Sequence, residues 1–135
     1  MPIALDTNVL VRFLAQDDVE QFEIARDIIN SCSAKRPAFI CLRVLVKLVW
    51  VLEHSYRYSQ MKLRPAVMGL VSAAGLQVEA PQYVAEILPL YQNKGFGFSD
   101  LMIRQATIRI GGYDLQTFDR KAAKLAGVTL LGTSL

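Results

Sequence analysis

Five strand-length apolar segments, each set off from the next by a stretch with helical spacing, constrain this 135-residue chain more than any other feature. Ile3-Ala4-Leu5, Ala38-Phe39-Ile40, Leu76-Gln77-Val78-Glu79, Tyr113 to Phe118 and Val128 to Leu131 are too short for helices and lie between turn residues. Between them, Thr7-Asn8 opens a helix carrying Val9, Leu10, Phe13 and Leu14. Asp17 begins a second, with Glu20 three residues on as a capping-box partner. Further helices are expected over Leu42 to His54, from the N-cap Ser59 to near Gly75, and from Pro81 to Asn93. Another is capped by Ser99 and ends at Gly111-Gly112, and a short one runs from Asp119 to Ala126. Strands that alternate with helices predict an α/β fold: a mostly parallel central sheet of about five short strands with helices on both faces. No repeat, low-complexity tract or linker divides the chain, so residues 1–135 are expected to form one domain.

Composition narrows the function classes. At 53% hydrophobic and 20% charged residues the chain is not disordered, and no apolar run approaches the roughly 20 residues of a membrane span. With no charged leader at the start, the expectation is a cytoplasmic protein with no membrane partner. Cys32 and Cys41 form no C-x-x-C pair and have no His-rich neighbourhood, which excludes a zinc site and leaves reduced core thiols. The net charge of +3 conceals an asymmetry. Residues 1–30 carry six acids against Arg12 and Arg26, and the remainder carries thirteen bases against six acids. Such a basic surface suits RNA phosphates or is simply a solubilising surface.

Three aspartates carry the chemistry. Asp6 follows the first apolar segment, Asp119 follows the fourth, and Asp100 lies in the first turn of a helix entered from Gly95-Phe96-Gly97-Phe98. Any one of them is explained as a helix cap. All three together at strand-to-helix or loop-to-helix junctions fit an oxygen-ligand site, since ligands in such sheets bind beyond the carboxyl ends of the strands. Carboxylates held close repel and recruit a cation, and a hard divalent ion activates water and stabilises charge on a phosphate under attack. The single histidine, His54, reads as a helix-end residue, and there is no nucleophile elbow or phosphate-binding glycine loop.

Leu5-Asp6-Thr7-Asn8-Val9-Leu10-Val11-Arg12, Leu45-Val46-Lys47-Leu48-Val49-Trp50-Val51-Leu52, Phe98-Ser99-Asp100 and Thr117-Phe118-Asp119-Arg120-Lys121 stand in order along nearly the whole chain. Together they resemble a PIN-domain ribonuclease, in particular the VapC toxins of bacterial toxin–antitoxin pairs. The resemblance implies a three-layer α/β fold, a Mg²⁺- or Mn²⁺-dependent endoribonuclease acting on RNA such as tRNA or rRNA, a homodimer, and a cognate antitoxin whose tail blocks the site. Asp6, Asp100 and Asp119 match the family's catalytic acids, with Asp6 and Asp100 as metal ligands. Thr117, on the same strand face as Asp119, is expected to orient the site, as is Asn8.

The sequence departs from that pattern at Lys47, which stands where the family carries Glu, and at Gly97, near which an auxiliary acid is common. The exchange at Lys47 takes an acidic quartet from −4 to −2, so one divalent ion fits better than two, and the ammonium is itself positioned to pair with Asp6 or Asp100. Arg43, Lys47, Trp50 and His54 share one stripe of their helix, facing either a cleft or solvent. Trp50, Phe13, Phe22 and Phe39 are expected in the core. Arg104, Arg109, Arg120, Lys121 and Lys124 either guide RNA or form a solvated face. The competing functions are an impaired endoribonuclease and a catalytically silent PIN-fold module that binds RNA or antitoxin. A receiver-like signalling domain fits poorly, because the acids and the lysine fall in another order.

Overall fold

The structure is a computed structural model, described here for residues 2–132. It is α/β, with helices α1 (Thr7–Ala15), α2 (Val19–Asn30), α3 (Leu42–His54), α4 (Gln60–Ser72), α5 (Pro81–Lys94) and α6 (Phe98–Ile110). Its strands are β1 (Ala38–Ile40), β2 (Leu76–Val78), β3 (Leu115–Thr117) and β4 (Val128–Leu130), and a 3₁₀ turn spans Ala122–Lys124. The chain divides after Ala85 into two compact units. Among the described residues no helix is long and apolar enough to cross a membrane.

In the first unit β1 and β2 pair in parallel, Ala38 opposite Leu76 and Ile40 opposite Val78. These four side chains are buried, while Phe39 and Gln77 between them are exposed. Among the described residues four strands are present where about five are expected, and they form two parallel pairs, β1 with β2 and β3 with β4. The missing one is the opening segment. It joins β1 only as a bridge at Ala4, with Phe39 N–H donating to Ile3 and Leu5 N–H donating to Phe39, both at 2.9 Å. Pro2 has no N–H to extend the ladder on one side, and Asp6 starts α1 on the other.

Helix α1 packs on α2 and α3, and α4 packs on β2. α2 begins one residue later than expected: Asp18 caps it, accepting from Gln21 N–H at 3.0 Å. Asp17 is otherwise engaged, taking the guanidinium of Arg12 at 3.1 Å and the hydroxyl of Tyr56 at 2.7 Å. Helix α3, which carries Lys47, has no cap from Cys41. Glu79, just beyond β2, supplies one from across the unit, its carboxylate accepting from Leu42 N–H at 3.0 Å where the helix dipole favours an anion. Leu45, Leu48, Val49 and Leu52 of α3 are buried, about 1.5–3 kcal/mol each from burial alone. Two expected core aromatics are not buried. Trp50 is 57% exposed and Phe39 41%, because periodicity marks a face without saying which side is covered. Phe13 and Phe22 stack half-buried, 6.1 Å apart.

In the second unit Leu115 to Thr117 pair in parallel with Val128 to Leu130. β3 is shorter than the expected Tyr113 to Phe118, whose end residues are exposed. Gly97, not Ser99, occupies the cap position of α6, which places Ser99 and Asp100 in its first turn. Beyond Asp119 the expected helix tightens to the single 3₁₀ turn before Gly127 (φ 81°). Tyr91 and Phe98, both buried, meet edge to face at 5.6 Å.

Candidate functional site

The first unit holds Asp6, Asn8 and Lys47. Asp6 ends the opening apolar segment and caps α1, its Oδ1 accepting from Thr7 N–H at 2.7 Å. Thr7 is buried, its hydroxyl donating to the Val44 carbonyl of α3 at 3.4 Å, so the first turn of α1 is anchored to the helix that bears Lys47. Between those helices runs a groove of about 320 Å³ lined by Asp6, Asn8, Arg12, Lys47, Ser55 and Tyr56 among others. Lys47 is exposed and lines this groove with Asp6, but no ion pair joins the two within 4.0 Å. At the far end, the hydroxyl of Tyr56 and the guanidinium of Arg12 meet on Asp17. The Tyr56 hydrogen bond, followed by Arg12, holds the Asp17 carboxyl below its ordinary range. Neither Tyr56 nor Ser55 belongs to a sequence motif; the available signal is the Asp17-Asp18 doublet, in which Asp18 caps the helix and leaves Asp17 to accept from Tyr56.

The second unit holds Asp100, Asp119 and Thr117. Asp119 Oδ1 accepts from the N–H groups of Lys121 at 2.8 Å and Ala122 at 3.0 Å, which fixes the carboxylate at the end of β3. Thr117 Oγ1 accepts from Asp119 N–H at 3.0 Å, so the threonine holds the backbone from which that carboxylate projects. Asp100, half-buried in the first turn of α6, has its carboxyl pushed above the ordinary carboxylate range, first by desolvation and then by the negative charge of Asp119. Beside it Gly97 leaves room: a Cβ there would stand 3.2 Å from Asp100 Oδ2.

The basic residues differ in what they touch. Arg104 is half-buried, and its Nε donates to the Ala126 carbonyl at 3.0 Å, which gives it a structural task. Lys121 lies over the Phe96 ring at 5.9 Å beside Gly95, while Arg120 is exposed.

The donor set suits a hard cation, because a carboxylate that feels its neighbour's charge gains from a positive ion placed between them. It is an open set and not a closed cage. Within neither unit, among the described residues, do three or more His, Cys, Asp or Glu side chains gather around one point. Mg²⁺ tolerates this, since it commonly binds through one or two carboxylates and keeps several waters.

The PIN-domain profile matches residues 3–128. The chain is also similar to the VapC ribonuclease of Aquifex aeolicus (strain VF5), with 26% identity over 127 residues and 93% of each chain covered. No solved structure gives a significant match.

Proposed function

This chain belongs to the PIN-domain family, and from that premise we propose that it is a metal-dependent endoribonuclease of toxin–antitoxin type, impaired by Lys47. The observation that carries the proposal is a pair of acids in the second unit: Asp119, its carboxylate fixed by the N–H groups of Lys121 and Ala122 at the end of β3, and half-buried Asp100, whose carboxyl is raised first by desolvation and then by the charge of Asp119. Likeness to a protein named VapC ribonuclease adds support. In the second unit Asp100 and Asp119 would hold Mg²⁺ or Mn²⁺, and in the first Asp6 offers a carboxylate of the same kind; such an ion, when bound, activates water and stabilises charge on the attacked phosphate. The protein's own groups do the rest. Thr117 and the N–H groups of Lys121 and Ala122 hold Asp119 in place, Asn8 borders Asp6 in its groove, and Arg120 and Lys121 attract phosphates. The partners under this proposal are an RNA such as tRNA or rRNA, a cognate antitoxin and a second copy of the chain, in the cytoplasm.

Lys47 favours a second reading, a silent PIN-fold module that binds RNA or antitoxin without cutting. A cation in the groove of Asp6 opposes the binding of another. Cleavage of a labelled RNA by the protein and by Lys47→Glu, with Mn²⁺ uptake followed by calorimetry, separates the two. Weak cleavage rescued by Lys47→Glu supports the impaired nuclease. No uptake and no cleavage by either form supports the silent module, and equal robust rates remove the argument from Lys47.

A further inference from the structure

On α3 the residues opposite the buried Leu45, Leu48, Val49 and Leu52 form a second stripe: Arg43, Lys47, Trp50 and His54, all exposed. Steps of four, three and four residues keep them on one line, rising about 16 Å along the axis. Trp50 stands 57% exposed. Its indole stacks on the His54 ring, with centroids 4.5 Å apart and planes 20° from parallel. The imidazole is fixed by its Nδ1, 2.9 Å from the Trp50 carbonyl. One face of the indole is thus backed by a flat ring, and among the described residues no other ring covers the opposite face.

We propose that Trp50 is a stacking platform for an unpaired RNA base, with Arg43 and Lys47 holding the flanking phosphates. This deepens the RNA-directed function proposed above and rests on it. A lone aromatic among cations is a poor core for a protein interface, which needs contiguous apolar area. It suits a single strand, whose bases stack on aromatic faces and whose phosphates seek Lys and Arg. The stripe carries two full positive charges and no carboxylate, so its charge complements a polyanion. A base laid on the open face of Trp50 extends the existing indole–imidazole stack, and Lys47, one turn along, brings the strand to the groove of Asp6.

Trp50 is the chain's one tryptophan, so its fluorescence reports this position alone. The full chain, in chelator to prevent cleavage, is titrated with a single-stranded RNA of about ten nucleotides. The expected result is quenching that saturates with RNA and is absent with inorganic polyphosphate, which offers charge but no base. Affinity falls roughly tenfold in Trp50→Ala, followed by anisotropy of labelled RNA, and stays within about threefold in Trp50→Phe, which keeps a ring. Arg43→Gln and Lys47→Gln each lower the salt slope by about 0.7. Absence of quenching at saturating RNA overturns the proposal, as does equal quenching by polyphosphate. A fluorescence change that follows protein concentration without RNA overturns it too, by showing that a second copy covers the stripe. Because binding is read without metal, quenching without cleavage in any metal leaves this proposal standing and defeats the nuclease. Cleavage without quenching does the reverse.

Discussion

Asp6 and Asp100 are the same residue at the same kind of junction, the start of a helix, yet their neighbours differ in sign. Asp6 shares its groove with Lys47 and Arg12. The carboxyl of Asp100 is pushed upward first by desolvation and then by the negative charge of Asp119. The contrast teaches that the affinity of an acidic residue for a cation depends on the charges packed around it. A carboxylate that shares a groove with cations gains less from an arriving ion than one that feels another carboxylate.

The sharpest way to break this contrast is to remove the carboxylate of Asp100, whose titration is raised. In a Lys47→Glu background, Asp100→Asn should lower metal-dependent RNA cleavage by roughly a hundredfold or more, measured as single-turnover rates. A smaller loss would show that the second unit does not supply the cation site. Next in size is Lys47→Glu itself, expected to raise cleavage at least about tenfold by making the surroundings of Asp6 negative like those of Asp100. The frame of the first unit is tested by Gly75→Ala. A Cβ there would stand 2.9 Å from the Cys32 carbonyl oxygen, so the substitution should cost about 1–3 kcal/mol in urea unfolding, with cleavage per folded molecule unchanged.

Two smaller effects follow from protons. The Asp100 carboxyl titrates above its ordinary 3.8, so the folded state holds a proton that the unfolded state releases, and stability falls as pH rises from 3.8 through the raised value. Asp119→Asn removes the second cause of that shift. It should flatten this decline in pH-dependent urea midpoints and lower the Asp100 titration seen by NMR. Asp17 behaves oppositely. Its carboxyl is held below 3.8, first by Tyr56, so its contribution is present above that pH and lost as pH falls through the depressed value. Tyr56→Phe should shrink this acid limb slightly while leaving the Asp100 titration unchanged.

Much of this arrangement was legible in local chemistry. The limits of α3, Leu42–His54, follow from its run of apolar residues, and the Ser59 cap from a hydroxyl at a helix start, accepting from Lys62 N–H at 3.2 Å. The misses share a cause. Between Asp17 and Asp18, the choice of cap depends on Arg12 and Tyr56, the latter arriving from 39 residues away. Trp50 reads as core by type, yet the buried stripe of α3 is the one through Leu45, Leu48 and Leu52. Gly97 takes the cap position expected of Ser99, although serine ranks above glycine there and offers a hydroxyl that glycine lacks.

Alternation of short apolar segments with helical periods, aspartates at the junctions and a lysine in the middle motif were determined by sequence alone, because each is a property of neighbours along the chain. That settled the α/β class, the PIN-domain kinship and the acids to watch. Which side of α3 meets solvent, which carboxylate caps α2 and which acid feels another's charge were decided only by tertiary structure. Burial and Coulomb energy depend on distance through space, and distance through space is what folding creates.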